Sequence, residues 1–538
     1  MTVDLPAKRG TVTDANGVVL ATSVSRYDIS VNQTELVAYK HVDPESHEVT
    51  GTGPAEAARQ TASLLGMDEA ELAADYTGTR KFKYIKKQVL PEVWDAIKAL
   101  GIHGIYATEV SERVYPSGTI AGNVLGFVGS DSEGQAGVEL SLNSTLQGTP
   151  GSATYERGRT GHVIPAGNET TTAPAAGSDV ELTIVRDIQY VAQKSLDTQV
   201  KKYGASGGSV IVTDTKTGAV YALAESGSID PNNPTAGSRS NLGSTAAADV
   251  FEPGSTAKII TMAALLETGL ATPLSPFKVS DTYTSSNGQV FHDSHEHAKE
   301  KWTLTGILSE SSNTGTVMAG QQLPEQVRYD YLSKFGFGTK TGIELGGESR
   351  GILHPVADWD GRTKYNVLFG QGVSVTALQA NSVYATVANG GKRVTPHLVK
   401  ATIDADGTRH ETAPTVGEQV VSTKVSKELL TMLESVVSDG TGNLGAINGY
   451  RVAGKTGTAQ AADASGQMND IVASFIGVVP ADNPRLAISV IIKNPSEKIS
   501  IYGGTVAAPV FSEVGAYALQ ELGVEPSTSK AKLYKESW

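Results

Sequence analysis

In FEPGSTAKII (251–260), Ser255 and Lys258 stand three residues apart, just after Pro253-Gly254 and at the head of an apolar run holding Ile259, Ile260, Met262, Leu265 and Leu266. On a helix, residues three apart share one face. A serine in the first turn has backbone N–H groups nearby that no intrahelical carbonyl takes up. This suits a nucleophile with an oxyanion donor beside it. The lysine one turn later could take the hydroxyl proton if burial lowers its pKa. Ser-x-x-Lys alone, however, is a frequent accident.

Two more segments carry candidate chemistry. In SESSNTG (309–315), Ser311 and Asn313 could place a hydroxyl and an amide on one side of a turn. Ordinary loop chemistry explains such a pair equally well. In RVAGKTGTAQ (451–460), an apolar entry leads to Lys455, Thr456, Gly457 and Thr458. This reads as a strand with a cation and two hydroxyls on one edge, a set suited to a carboxylate ligand. Gly457 would let a substrate approach the backbone closely. A second copy, Lys216-Thr217-Gly218, falls in a hairpin turn and reads as that turn only. Singly these signals are weak. As an ordered set, Ser-x-x-Lys, Ser-x-Asn and Lys-Thr-Gly are the signature of penicillin-binding proteins and class A β-lactamases.

The elements that must position these residues follow from periodicity. RGTVTDANGVVLAT (9–22) alternates around Asn16-Gly17 and predicts a hairpin. Residues 54–66 and 91–100 have helical spacing. Residues 113–158 are glycine-rich and read as short strands and turns, and GNETTTAPAAGSD (167–179) reads as a boundary loop. Beyond it come a helix over 187–202, a strand pair over 209–214 and 219–224, helices over 255–268, 304–321 and 376–389, and strands over 470–478 and 485–493. Helices in the middle with strands at both ends predict an α+β domain whose sheet closes late in the chain. The division expected is residues 1–175 and 176–538.

Composition narrows the class. The chain has 538 residues, 39% hydrophobic and 19% charged, enough for a large core over two to four domains. Lys plus Arg is 44 and Asp plus Glu 57, a net charge of −13, which disfavours a nucleic-acid partner. There is no cysteine, so disulfides and thiolate chemistry are excluded. No apolar window of about 18 residues is long enough for a membrane helix. MTVDLPAKRG is neither a signal nor a transit peptide.

Over nearly its whole length the sequence resembles the class B penicillin-binding proteins, and among them the division-type transpeptidases of actinobacteria. RGTVTDANGVVLA resembles the family's Arg-Gly hairpin, with Ala15 where an arginine is common. ERVYPSGTIAGNVLGFVG (112–129) and GQAGVELSLNSTLQGTPG (134–151) resemble its pedestal segments. FGQGVSVTALQ (369–379), NGGKRVTPHLV (389–399) and ASFIGVVPADNPRLAISVII (473–492) match later blocks. GYRVAGKTGTAQ and PADNPR favour the division branch over the elongation branch. The resemblance implies a pedestal domain of dimerisation type before a transpeptidase domain with a central antiparallel sheet flanked by helices. It implies a D,D-transpeptidase acting on D-Ala-D-Ala stem pentapeptides through an acyl-enzyme on Ser255, and inhibited by β-lactams. Lys258 would be the base, Ser311 a proton relay and Lys455 a tuner of the field. Asn313 would hold the substrate amide, and Lys455, Thr456, Gly457 and Thr458 would form the carboxylate-binding strand. The backbone N–H groups of Ser255 and Thr458 would form the oxyanion hole. No metal or organic cofactor is needed. Expected partners are a separate glycosyltransferase and divisome membrane proteins. The family's single membrane helix, which would precede the hairpin and leave the catalytic domain extracytoplasmic, is absent from this sequence, as in an ectodomain.

ELSLN (139–143) matches the deacylating Glu-x-x-Leu-Asn pattern of class A β-lactamases, but it lies before Ser255 instead of between the second and third motifs. Glu139 is therefore expected to be structural. FHDSHEH (291–297) could ligate zinc through alternate histidines; a polar loop is the simpler expectation. The competing functions are an elongation-type transpeptidase, a carboxypeptidase or β-lactamase, and a β-lactam sensor or scaffold.

Overall fold

The computed structural model describes residues 2–155, 169–236, 242–461, 467 and 470–538. The start of the 167–179 segment and the end of the 113–158 segment lie outside them. Packing divides the chain into two units. One comprises Met1–Thr11, Ala21–Pro116 and Ser144–Ser178; the other comprises Val12–Leu20, Ser117–Asn143 and Asp179–Trp538. Thus the hairpin turn and a stretch of the glycine-rich segment pack with the residues beyond 178, although they precede them in sequence.

In the first unit, strand β1 (Val19–Val31) is flanked by β2 (Lys83–Val89) and β3 (Ile105–Val114), both antiparallel to it. Helices α1 (Gly53–Leu65), α2 (Glu69–Tyr76) and α3 (Pro91–Ala99) carry the remaining apolar positions. Proline opens α1 and α3, where its missing N–H costs nothing. Gly66, at φ +61°, ends α1 in the left-handed conformation that favours glycine. Ile29, Val31, Ala58, Leu65, Leu72, Tyr76 and Ile97 form one buried cluster.

The second unit is built on a five-stranded antiparallel sheet. Helix α4 (Arg186–Lys202) leads to β4 (Gly207–Asp214) and β5 (Val220–Glu225). Asp214 Oδ1 accepts the Lys216 and Thr217 N–H groups in the turn between these strands, and Gly218 has φ +80°. This early Lys-Thr-Gly is indeed only a turn. Helices α5 (Lys258–Glu267), α6 (Leu304–Ser309), α7 (Asn313–Gly320), α8 (Ala377–Ala388) and α9 (Thr423–Ser438) follow. Strands β6 (Ala453–Ala461), β7 (Asp470–Val479) and β8 (Leu486–Lys493) and helix α10 (Ala508–Glu521) complete the unit. The strand order is β5-β4-β8-β7-β6, so β8 joins the early hairpin to the late strands. Pairing runs from Gly207 opposite Lys493 to Asp214 opposite Leu486, and Lys455 sits opposite Ile476. Val210, Val212, Phe475, Ile488 and Val490 face Ile188, Leu196, Phe511 and Val514 of α4 and α10 in one core. Helix α8 packs on β4, β7 and β8. Both faces are thus covered, and the long apolar runs in β7 and β8 follow from that.

The 113–158 segment, read as short strands and turns, also holds the short helices Gly122–Leu125, Gly137–Ser141 and Asn143–Leu146, and the 167–179 segment, read as a loop, contains the strand Glu169–Thr172. Two further elements depart from the periodicity. The helix expected over 255–268 begins as a 3₁₀ turn (Gly254–Ala257) before α5. The helix expected over 304–321 is two helices, broken at Ser311, whose φ is +59°. Ser312 caps α7, its Oγ accepting the Gly315 N–H at 2.9 Å. Apolar spacing runs through the break, so periodicity alone does not reveal it.

Candidate active site

Ser255 is the partly exposed residue in a buried turn. Three contacts hold that turn. The Gly254 N–H donates to the Gly370 carbonyl at 2.9 Å. The buried Tyr384 hydroxyl donates to the Thr256 carbonyl at 2.8 Å. Thr256 Oγ1 donates to the Pro253 carbonyl at 2.7 Å. Gly254 has φ +53°, and a Cβ there would sit 2.9 Å from Ala459 Cβ. Gly370, at φ +82°, cannot carry a side chain because its Cβ would lie 2.2 Å from the Gly254 carbonyl oxygen. The block FGQGVSVTALQ thus braces the serine turn, a role its sequence did not reveal.

Lys258 opens α5 and is 0% exposed. Its Nζ donates to the Ser311 carbonyl and lies 3.4 Å from Ser311 Oγ. Burial pulls its pKa down to about 7, with Asp293 opposing the shift. The break between α6 and α7 is what turns Ser311 toward this amine. Lys455 is also 0% exposed, and its Nζ lies 3.2 Å from the Thr456 carbonyl and 3.3 Å from Thr456 Oγ1. Burial, then the charge of Lys258, lowers its pKa, and Glu310 acts in the opposite sense. Two ammonium groups in one dry site repel, so the site favours one charge over two.

Strand β6 lies at the edge of the sheet, with Thr458 exposed beside the serine turn. Thr456 Oγ1 is 2.8 Å from Thr441 Oγ1, and Thr458 Oγ1 accepts the Gly503 N–H at 3.3 Å. A Cβ on Gly457 would come 2.4 Å from Ser474 Oγ and 3.0 Å from Thr256 Cγ2. Close packing of β6 against β7 and the serine turn therefore demands glycine there, in addition to any approach by a substrate.

The residue most clearly missed in the sequence is Asp293. Its Oδ1 accepts the Asn313 and Thr314 N–H groups at 2.5 and 2.9 Å. Its Oδ2 accepts the Ser312 and Thr314 hydroxyls at 2.7 and 3.1 Å and lies 2.9 Å from His297 Nε2. FHDSHEH is thus the strut of α7. Phe291 anchors it in a cluster with Val317 and Phe369, and the His292 carbonyl accepts the Asn313 side-chain amide at 3.2 Å. Among the described residues no group of three or more histidines and carboxylates is placed to hold a metal ion. An aspartate two positions from a buried phenylalanine was the available signal, but its partner lies 20 residues away. Asp293→Ala is expected to slow acylation by a penicillin about 100-fold, by loosening the Ser311–Asn313 turn, and to cost about 3 kcal/mol of stability. Stopped-flow acylation and thermal melts check this; a wild-type acylation rate would show that the cap does not position the site.

Ser255, Ser311, Asn313, Thr456 and Thr458 line one open cavity of about 510 Å³, together with Glu310, Thr441 and Tyr502. Lys258 and Lys455 stand buried behind its wall. The three motifs therefore meet, although they come from a 3₁₀ turn, a break between helices and an edge strand. Glu139 is buried in the short helix Gly137–Ser141 and does not line this cavity.

A partly exposed serine on a helix-entry turn, a buried near-neutral lysine and a lysine-bearing edge strand define an active-serine acyl-transfer enzyme. Comparison with known proteins makes the class specific: residues 208–515 match the penicillin-binding protein transpeptidase domain and residues 4–182 the penicillin-binding protein dimerisation domain, and the chain belongs to this transpeptidase family. It is 34% identical to penicillin-binding protein PbpB of Mycobacterium tuberculosis over 96% of its length and 78% of the relative's. It is 32% identical to peptidoglycan D,D-transpeptidase FtsI of Escherichia coli over 96% and 84% of the two chains. The crystal structure of penicillin-binding protein 3 from M. tuberculosis, complexed with ampicillin, matches with a TM-score of 0.75 at 29% identity over 100% of both chains.

Proposed function

We propose that the protein is a septal peptidoglycan D,D-transpeptidase. The observation that carries this reading is Lys258: wholly buried, held near neutrality, hydrogen-bonded at Ser311 and one turn after Ser255. A neutral amine takes the Ser255 hydroxyl proton as Oγ attacks the carbonyl carbon of the penultimate D-alanine. The N–H groups of Ser255 and Thr458 stabilise the oxyanion. When the C–N bond breaks, the proton passes from Lys258 through Ser311 Oγ to the departing D-alanine nitrogen. The acceptor's side-chain amine then attacks the ester carbon. One of its protons returns through Lys258 to Ser255 Oγ as the C–O bond breaks, and the new amide leaves.

Asn313 holds the donor's backbone amide. Lys455, Thr456 and Thr458 bind its terminal carboxylate along β6 past Gly457, and that carboxylate joins Glu310 in favouring the charged form of the buried Lys455. A β-lactam follows the same first half, and its tethered leaving group blocks the second. Glu139, away from the cavity, does not serve deacylation. In this reading residues 1–175 form the pedestal and 176–538 the transpeptidase domain. A membrane helix anchors the protein, a separate glycosyltransferase makes the glycan, and divisome membrane proteins are partners; the division role rests on the likeness of GYRVAGKTGTAQ and PADNPR to that branch. Among the described residues no helix is long and apolar enough to cross a membrane.

Intact-protein mass after exposure to a penicillin tests the reading, paired with a donor peptide thioester and an amine acceptor. One penicillin mass stable for hours, with acceptor-dependent amide product, is the expected result. An adduct lost in seconds, with free penicilloate accumulating, would make the protein a hydrolase. A stable adduct without amide product would make it a sensor.

A further inference from the structure

A second cavity, of about 290 Å³, lies beside the first. Ser294, His295, Glu310 and Ser311 line both, so the two open onto the same stretch of chain. Ser311 is the hydroxyl 3.4 Å from Lys258 Nζ. A group arriving through the second cavity therefore reaches Ser311, which also lines the first.

The lining has a definite chemistry. It contains three carboxylates, Asp293, Glu300 and Glu310, and no lysine or arginine. Asp293 is spent on the cap of α7 and on His297. Glu300 and Glu310 are exposed. Trp302 supplies an apolar wall, with the His297 ring 4.9 Å from it. Carboxylates next to an indole suit a primary ammonium carried on a short aliphatic chain: the charge meets Glu300 and Glu310, and the methylenes lie against Trp302. An anionic ligand would be repelled by the two carboxylates, and a strictly apolar one would gain nothing from them.

We infer that this cavity is the entry subsite for the acceptor strand's ammonium-bearing side chain, steered by Glu300 and Glu310 toward the acyl-enzyme. The inference rests on the transpeptidase reading above and deepens it. On this account the donor and acceptor occupy separate cavities that meet at Ser311. Glu300 is a specificity residue that lies outside the cavity holding Ser255.

The test uses the whole chain, a donor thioester and two acceptors: Nα-acetyl-lysine amide, cationic at neutral pH, and hydroxylamine, small and uncharged there. Glu300→Gln is expected to raise the KM for the lysine acceptor about tenfold, the weight of one charge-assisted contact. Glu300→Lys should raise it further, about 100-fold, because repulsion replaces attraction. The KM for hydroxylamine and the rate of acylation by penicillin should stay within about twofold of wild type. Unchanged lysine KM in both folded variants would overturn the inference, as would an equal rise for hydroxylamine. Wild-type protein that takes up penicillin but uses neither acceptor would overturn the transpeptidase reading, and the subsite with it.

Discussion

Ser255→Ala takes up no penicillin mass and forms no cross-linked peptide, while its melting temperature stays near that of the wild type. The expected loss in acylation rate is at least about 10⁴-fold, in line with removal of a nucleophile from other active-serine machinery. Everything that shapes the turn stays in place: the Gly254–Gly370 and Tyr384–Thr256 contacts involve no Ser255 side-chain atom. A partly exposed hydroxyl removed from such a turn changes stability by about 0.5 kcal/mol or less. Ser294 and Ser311 line the same cavity, so peptide mapping of any residual adduct is decisive. Ser294 is on an exposed loop, and Ser311 precedes the cap of α7 instead of standing within a first turn as Ser255 does. An adduct on either of them in Ser255→Ala would show that the helix-entry geometry is not what selects the nucleophile.

Lys258→Met should lower acylation by about 10³-fold or more, within the range lost when a positioned general base is removed. Its second signature is an increase in stability at neutral pH. The folded pKa is depressed from 10.5 to about 7, so the unfolded chain binds more protons than the folded one between those values. Stability therefore rises with pH across this window, and the cost of burying the ammonium is fully present below about pH 7. Methionine, with similar volume and no charge, removes a cost on the order of a few kcal/mol. The same pKa sets the rate profile: wild-type acylation should rise with pH through about 7 and then level off as Lys258 becomes neutral. Acylation rates from pH 5 to 9 and urea melts of both proteins check the two signatures. A wild-type profile flat from pH 5 to 9 would show that Lys258 does not titrate in that range, and a Lys258→Met protein less stable at pH 7 would show that the buried lysine carries no net cost.

Ser255 and Lys258 could be named from the ordered set of three motifs, with their shared helix face following from a spacing of three residues. The protonation state of Lys258 could not, because it depends on how much of α5 is buried, and α5 is buried on all sides from Lys258 to Leu266. Similarly, the Lys-Thr-Gly strand and its decoy at 216–218 were separable in sequence by their settings, an apolar entry for one and a hairpin turn for the other. Glycine is required at 457 for a reason visible only in the fold, since Ser474 and Thr256 approach it from β7 and the serine turn.

The α+β class, the late closure of the sheet, the helices over 54–66, 91–100, 187–202 and 376–389 and the ordered three-motif set were legible in local pattern, whereas helices α2, α9 and α10 were not read from it. Periodicity and turn chemistry act over a few residues, and sequence order preserves them. The break at Ser311, the strut from Asp293, the bracing of the serine turn by Gly370 and the meeting of two cavities at Ser311 were decided by tertiary structure alone. Each depends on groups tens of residues apart brought together by packing: Asp293 to Asn313, Gly254 to Gly370, Lys258 to Ser311. Hydrogen bonds and desolvation act over a few ångströms of space, and no spacing along the chain encodes which distant groups will share that space.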